Sequence, residues 1–472
     1  MKRFFLTFLT AGLVCCAVIL QGQNVSAVQL DTLGEKVITD ILIEGNKVTR
    51  ARIILREMTL NVGDSLYWGN LKAGAEQSQN NVMNLGLFNF VEIEPIQTDN
   101  DEVIILVSVT ERWYIYPVPI LEIAQTNFNT WWQTKELRWM NYGVYLSHQN
   151  FRGRNEKIRI TARFGYTKKF SASYTVPNLN HKQTLSLFLN AGYFENRQIT
   201  YNTLNNERLF YEEPEFKARK YYQYQVGLGY RENIFVKHYA ELSYFDAQVR
   251  DTVVLLQPDY FTGNTARSRF LRATYVIDYD TRDYKRYPLE GVLIYGTFQQ
   301  SGLGIVNREG LNLFTTQMGY NHHHKLSDKF YVGYALSGKV NWSTPPYYLT
   351  QGLGVSELVR GYELYVIDGT RWGLVQSNLK YEILKPKPIT LPFITNEKFN
   401  KTFIALYANA FFDAGYVYGE DFEQNNSLVN KYLYSFGIGL DLVTYYDKVM
   451  RLEGSLNAEG QYGFYVEFKQ SF

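Results

Sequence analysis

Residues 157–166 read KIRITARFGY. Lys157, Arg159, Thr161, Arg163 and Gly165 fall on one parity, and Ile158, Ile160, Ala162, Phe164 and Tyr166 on the other. Strict alternation of this kind is the mark of a strand with one apolar and one polar face. TLSLFLNAGY at 184–193 repeats it, with Leu185, Leu187, Leu189, Ala191 and Tyr193 together. Two such segments would equally suit a soluble sandwich, so their number and spacing have to decide.

About sixteen of them follow one another, at 113–125, 137–148, 156–167, 169–178, 183–197, 218–231, 238–250, 267–280, 290–301, 311–324, 329–342, 371–384, 401–418, 432–446, 449–458 and 462–472. An even count of antiparallel strands suits an outer-membrane barrel. The connections alternate as well. Those after even-numbered strands are short, such as NLNH and KLSD, whereas those at 198–217, 251–266, 302–310, 343–370 and 419–431 are long. Short inner turns and long outer loops are the habit of such barrels. The segment 385–400, with its prolines, is an exception: an unusually long inner turn.

The 472-residue chain begins MKRFFLTFLTAGLVCCAVILQGQNVSA. Two cations, an apolar run and the small exit Val25-Ser26-Ala27 have the form of a secretory signal, with cleavage expected after Ala27; a retained anchor is the alternative. Both cysteines, Cys15 and Cys16, lie inside it. Cleavage would leave no disulfide or thiolate chemistry. Lys and Arg total 48 against 46 Asp and Glu, and loss of Lys2 and Arg3 would balance them at 46 each. Such neutrality argues against nucleic-acid binding. Beyond the signal no apolar run reaches the ~20 residues of a spanning helix. With 39 Tyr and 30 Phe, a membrane protein of this kind has to be a closed barrel.

Residues 36–111 have a different grammar. KVITDILIEGNKVT alternates and turns at Gly45-Asn46; RARIILREM and YWGNLKAGAEQSQNNVMNLG have helical spacing; LFNFVEIEPIQ and DEVIILVSVTE are strands again. With Arg56-Glu57, Gly63-Asp64 and GLFNFVEIE at 86–94, this order resembles a POTRA domain, a periplasmic module. The expected organisation is signal 1–27, linker 28–35, POTRA domain 36–111 and barrel 112–472.

Two further motifs stand out. Val359-Arg360-Gly361-Tyr362 lies in the long loop between strands eleven and twelve. Strand thirteen carries Phe411, Asp413 and Gly415 on one parity with Asn409, against Ala408, Ala410, Phe412 and Ala414. Asp413 must point into the lumen, because a carboxylate facing lipid is expensive. Strand twelve places Gln376, Asn378, Lys380 and Glu382 inward by the same logic. Together the motifs resemble those of the BamA/TamA superfamily of outer-membrane assembly and translocation barrels. The resemblance implies that the loop folds into the lumen and that Arg360 pairs with Asp413, with Gly361 making the turn and Tyr362 packing on the wall. One position departs from the family: Lys380-Tyr381-Glu382 stands where an acidic residue and an arginine would be reversed. Glu382 or Lys380 could therefore share in the arginine's contacts.

Strand one contains Pro117 and Pro119 on one parity, so both missing N–H groups face the same neighbour. If that neighbour is the last strand, with its lipid-side Phe464 and terminal Phe472, the barrel closes on a weak lateral seam. Client strands could add to it, or to the POTRA edge, by β-augmentation. No Ser/His/Asp grouping or phosphate loop appears, and NHHHK at 321–325 reads as a solvated turn, since consecutive strand residues alternate faces. The expectation is a non-enzymatic, cofactor-free, metal-free outer-membrane protein acting on unfolded protein clients, with accessory proteins docking on the POTRA domain. A dedicated secretion or lipid-handling pore and a porin-like structural barrel remain as alternatives.

Overall fold

The computed structural model describes residues 34–99, 101–123, 140–213, 217–306, 310–350, 352–354, 356–390, 392, 401–444 and 448–469. The expected signal, most of the linker and Phe472 lie outside the described residues.

The N-terminal domain comprises β1 (Lys36–Glu44), α1 (Ala51–Leu55), β2 (Ser65–Leu66), α2 (Trp68–Met83), β3 (Phe88–Asp99) and β4 (Glu102–Glu111). Its sheet has the order β2-β1-β4-β3, with β1 parallel to β4, so β3 is an edge. Ile38, Ile53, Leu71, Val82, Phe88, Val103, Ile105 and Val107 make the fully buried core between sheet and helices. The turn after β1 needs glycine: Gly45 has φ 83°, and a Cβ there would lie 1.9 Å from the Val109 carbonyl oxygen.

Sixteen strands form the barrel sheet: β5 (Ile115–Ile123), β6 (Met140–Phe151), β7 (Glu156–Gly165), β8 (Thr167–Val176), β9 (Leu185–Asn196), β12 (Arg219–Arg231), β13 (Val236–Val249), β14 (Arg267–Asp280), β15 (Gly291–Ser301), β16 (Leu313–Lys325), β17 (Phe330–Asn341), β18 (Arg371–Thr390), β19 (Lys401–Tyr418), β20 (Tyr432–Thr444), β21 (Lys448–Asn457) and β22 (Tyr462–Lys469). Each pairs antiparallel with its predecessor. The KIRITARFGY strand, β7, opposes Ile160 to Ala172 and Ala162 to Phe170 of β8 on the lipid face. That one-face matching is what holds register across a two-residue period.

Two details differ from the sequence reading. The loop 198–217 contains a hairpin of its own, β10 (Gln198–Leu204) and β11 (Glu207–Glu212). Asn205 and Asn206 turn it at φ 53° and 63°, a left-handed pair that asparagine tolerates. The segment 385–400 is in part strand: Lys387 pairs with Ile404 and Thr390 with Lys401. Beyond Tyr381, the last residue paired with β17, β18 has one neighbour only. Pro386 and Pro388 therefore sit on an edge, where proline is tolerated. The histidine tract is likewise strand rather than turn, within β16 and paired to β17. Its alternation stands: His323 faces the lumen, while His322 bonds Tyr334 Oη on the outside at 2.8 Å.

The POTRA-like domain is held to the inner turns of the barrel. Arg231, ending β12, forms two parallel bonds to Glu57, Nη1–Oε1 and Nη2–Oε2, both 2.6 Å. Arg56 donates to Asn178, and Asn84, capping α2, bonds Asp283 O and Lys285 N at 2.7 and 3.1 Å. The Arg50 N–H donates to Gly153 O at 3.0 Å. Burial alone would raise the Glu57 carboxyl, but the Arg231 guanidinium, with Arg56, holds it below its ordinary value. A carboxyl lowered on docking contributes fully above the ordinary carboxylate range, and that contribution is lost as pH falls through the lowered value. Acidification below about pH 4 should thus release the domain, seen as a lengthened spin-label distance between α2 and β12. Glu57→Gln should show the longer distance at neutral pH and no further acid transition.

Candidate functional site

The loop 343–370 enters the lumen and carries Arg360, which is buried. Arg360 Nη2 lies 2.6 Å from Asp413 Oδ1 and Nε 2.8 Å from Oδ2, a bidentate pair, and the Arg360 backbone N–H adds a 3.2 Å bond to the same carboxylate. Asp413 has no exposed surface. The planar fork of arginine suits this geometry as lysine would not. Arg360 Nη1 continues to Asn378 Oδ1 at 2.8 Å and Glu453 Oε1 at 3.2 Å. The guanidinium carbon stands 3.8 Å from the centroid of the Phe411 ring, a cation–π contact in a desolvated setting.

The glycines explain the spacing of the two motifs. A Cβ on Gly415 would lie 2.7 Å from Val359 Cγ2, so Gly415 makes the seat for Val359. A Cβ on Gly437 of β20 would lie 2.6 Å from Phe411 Cζ, so Gly437 seats the aromatic ring. Gly361 has φ 87°, and its carbonyl accepts from Asn457 Nδ2 at 2.8 Å. Tyr362 is buried in a cluster with Leu353, Ile367, Trp372, Val417 and Leu433. Val359, Arg360 and Tyr362 thus each meet a prepared surface on β18 to β21.

Neither alternative partner on strand twelve, β18, reaches Arg360. Lys380 Nζ lies 3.1 Å from Pro288 O and 3.9 Å from the Tyr287 ring centroid. Glu382 is buried one strand step closer to the inner end, where its Oε1 has no hydrogen-bond partner among the described residues. The second carboxylate is Glu453 on β21, two strands from the β19 of Asp413, a residue the sequence reading did not single out.

Glu453 opens onto a second network. Arg451 Nε lies 3.5 Å from Glu453 Oε1 and 2.8 Å from Asp441 Oδ1. Asp441 also accepts from Asn409 Nδ2 at 3.0 Å and from Tyr287 Oη at 2.7 Å. Tyr287 belongs to the inner turn 281–290, whose Asp283 and Lys285 backbone bonds Asn84 of the N-terminal domain. A cavity of about 450 Å³ separates loop from turn, bounded by Leu358, Arg360, Asn378, Lys380, Tyr287 and Arg451. The lumen is therefore occupied from both ends.

The seam residues lie on the edge strands. Among the described residues no ladder joins β5 to β22. The Gln149 N–H donates to Tyr114 O at 2.7 Å, and the register continues as Tyr116–Ser147 and Val118–Tyr145. Hydrogen-bonded pairs alternate in an antiparallel ladder, so even-numbered residues face β6 while Pro117 and Pro119 present their backbone to the open side. Phe464 of β22 is exposed on the lipid face.

Residues 36–112 match the family model of the POTRA domain described as surface antigen variable number repeat, and residues 150–377 match the Omp85 superfamily domain. The barrel carries the Omp85 superfamily domain. CdiB from Escherichia coli is similar in structure to this Omp85 barrel at TM-score 0.53 and 12% identity, covering 92% of this chain and 75% of that one. BamA from Haemophilus ducreyi lacking POTRA domains 1–3 is similar at TM-score 0.49 and 16% identity, covering 92% and 83%. No curated protein matches. The Omp85 fold places its POTRA domain at the inner end of an outer-membrane barrel, consistent with the orientation of the loops.

Removing one member of a buried ion pair costs about 3–5 kcal/mol. Arg360→Ala and Asp413→Ala should each lower the temperature at which the barrel loses its compact gel mobility. The double variant should cost less than the sum, with a coupling of roughly 0.5–3 kcal/mol. Additive losses would show that the contact carries no energy. Gly415→Val should displace Val359 and reproduce part of the Arg360→Ala loss with both charges intact.

Proposed function

We propose that this protein assists the insertion or translocation of protein clients at the outer membrane. The observation that carries the reading is the unpaired boundary between β5 and β22, with two prolines facing it. A client strand can supply the backbone partners that β5 and β22 do not give each other, which is β-augmentation. The edge strand β3 of the POTRA domain offers a second, periplasmic place for the same interaction, and accessory proteins would dock there. No nucleotide or metal enters the scheme. The driving force is the client's own folding, as its strands exchange water for backbone partners inside lipid.

The loop and the inner turn weigh against a constitutively open porin-like channel, because both fill the lumen. A dedicated secretion pore of the same fold would have to move the Arg360 loop or part the seam. In that setting the Arg360–Asp413 pair acts as a brace that holds the barrel in shape while the seam works.

Depletion of the protein followed by a census of outer-membrane proteins separates these roles. Insertion predicts loss of many barrels, and secretion predicts loss of one exported protein. An unchanged census overturns both. A disulfide engineered between β5 and β22 should reproduce the depletion and be reversed by reductant. If the locked protein works normally, the seam is not the route.

A further inference from the structure

A second feature lies on the outside of the barrel, away from the lumen. Five aromatic rings form an arc on the lipid face of consecutive strands: Tyr142, Phe164, Phe170, Tyr193 and Tyr222. Neighbouring centroids are 6.1, 5.1, 6.4 and 4.8 Å apart. All five stand near the outer ends of β6, β7, β8, β9 and β12, and such an aromatic girdle marks the level where hydrocarbon gives way to headgroups.

The next lipid-side position outward, two residues or roughly 7 Å along each strand, changes character. Lys168 stands beyond Phe170, Glu195 beyond Tyr193 and Lys220 beyond Tyr222; the register places Lys168 and Lys220 on either side of Glu195. Here β8, β9 and β12 end level, with Thr167 and Arg219 paired on either side of Asn196. A cavity of about 320 Å³ opens at this rim, and Arg197, Lys217 and Arg250 complete its charged lining. Among the described lining residues, Lys168, Lys217 and Lys220 stand around one carboxylate, Glu195. Glu195 is itself committed: it takes bonds from Lys217 and the Tyr193 hydroxyl, and Lys168 Nζ lies 3.3 Å away. Lys220 has no carboxylate within ion-pair distance among the described residues. Lys168 and Lys217 keep nearly half of their side-chain surface open.

We propose that this cavity binds the phosphate group of a phosphorylated lipid in the outer leaflet. Three observations combine. The site carries excess positive charge, it faces the lipid side rather than the lumen, and it lies one step above the aromatic girdle, at the height of a headgroup. A phosphate monoester offers several charged acceptor oxygens, and the acyl chains below it would lie against Phe170, Tyr193 and Tyr222. Glu195 fixes the ammonium groups of Lys168 and Lys217 in place, leaving their remaining N–H donors for the ligand. Anchoring there would hold the β7–β12 wall in one orientation to the membrane.

The test uses the full chain in nanodiscs of zwitterionic phospholipid, titrated with a diphosphorylated lipid A and followed by native mass spectrometry. The wild type should retain the lipid, and Lys168→Glu with Lys220→Glu should weaken retention roughly tenfold or more, the scale of losing charge-assisted hydrogen bonds. Lys325→Glu, at the inner end, controls for charge reversal away from the cavity and should bind as wild type. Heat-modifiable gel mobility reports folding of each variant; if the double Glu variant does not fold, Lys168→Gln with Lys220→Gln replaces it, with the same direction expected. Equal retention by wild type and double variant overturns the proposal. So does equal retention of dephosphorylated lipid A. Displacement of the lipid by an equimolar amount of inorganic phosphate would also overturn it, by making the site one for free anions rather than for a headgroup.

Discussion

Every backbone N–H and C=O that enters hydrocarbon must find its partner within the protein. The rest of this molecule follows from that constraint. It turns the alternating segments into ladders between sequence neighbours and leaves, among the described residues, one unpaired boundary between β5 and β22. Sixteen strands enclose more space than their own inward side chains can fill. The inserted loop and the inner turn occupy that space, and they bring charges with them. Arg360 is tolerable in a water-poor interior only because Asp413, Glu453 and Asn378 meet it there. The ion pair is a consequence of the width of the barrel.

The charges then organise the interior along its length. Arg360, Arg451 and Lys380 stand among Asp413, Glu453 and Asp441, so the charges balance around this node. The contacts form one continuous path. It runs from the outer loop at Arg360 through Glu453, Arg451 and Asp441 to Tyr287 on the inner turn, and from there through the backbone at 283–285 to Asn84 of the POTRA domain. Double substitutions along this path would measure the energetic coupling between its ends.

Parity made much of this legible in the sequence. Alternation located all sixteen barrel strands because a strand between lipid and lumen has no freedom in which face is apolar. The same rule turned Asp413 inward, and the family motif supplied the arginine that meets it. The rule is silent on which strand a residue will oppose across a lumen, so Glu453 went unnoticed while the nearer Glu382 was considered. Tyr287 left no signal because a turn has no period. The β10–β11 hairpin read as loop since its polar residues hide the alternation, although Asn205-Asn206 is a recognisable turn pair. The glycines were the subtlest part. Gly415 and Gly437 look like ordinary strand glycines until Val359 and Phe411 are seen resting on them.

The stiffness of the interior bears on where the barrel can yield. From β18 to β21, strands are joined by full ladders and by the loop packed across their inner face. Opening the lumen would break a buried bidentate ion pair, a cation–π contact and an apolar cluster together. The boundary between β5 and β22 asks far less. In their described extents these are the shortest barrel strands, nine and eight residues. Proline has already removed two donors from the open edge, so fewer hydrogen bonds stand between closed and parted states. A plug anchored beside the seam keeps the cross-section from collapsing while that edge is free. On the proposed function the Arg360 node and the β5 prolines are thus two halves of one arrangement, in which the rigid wall makes a separable seam sustainable.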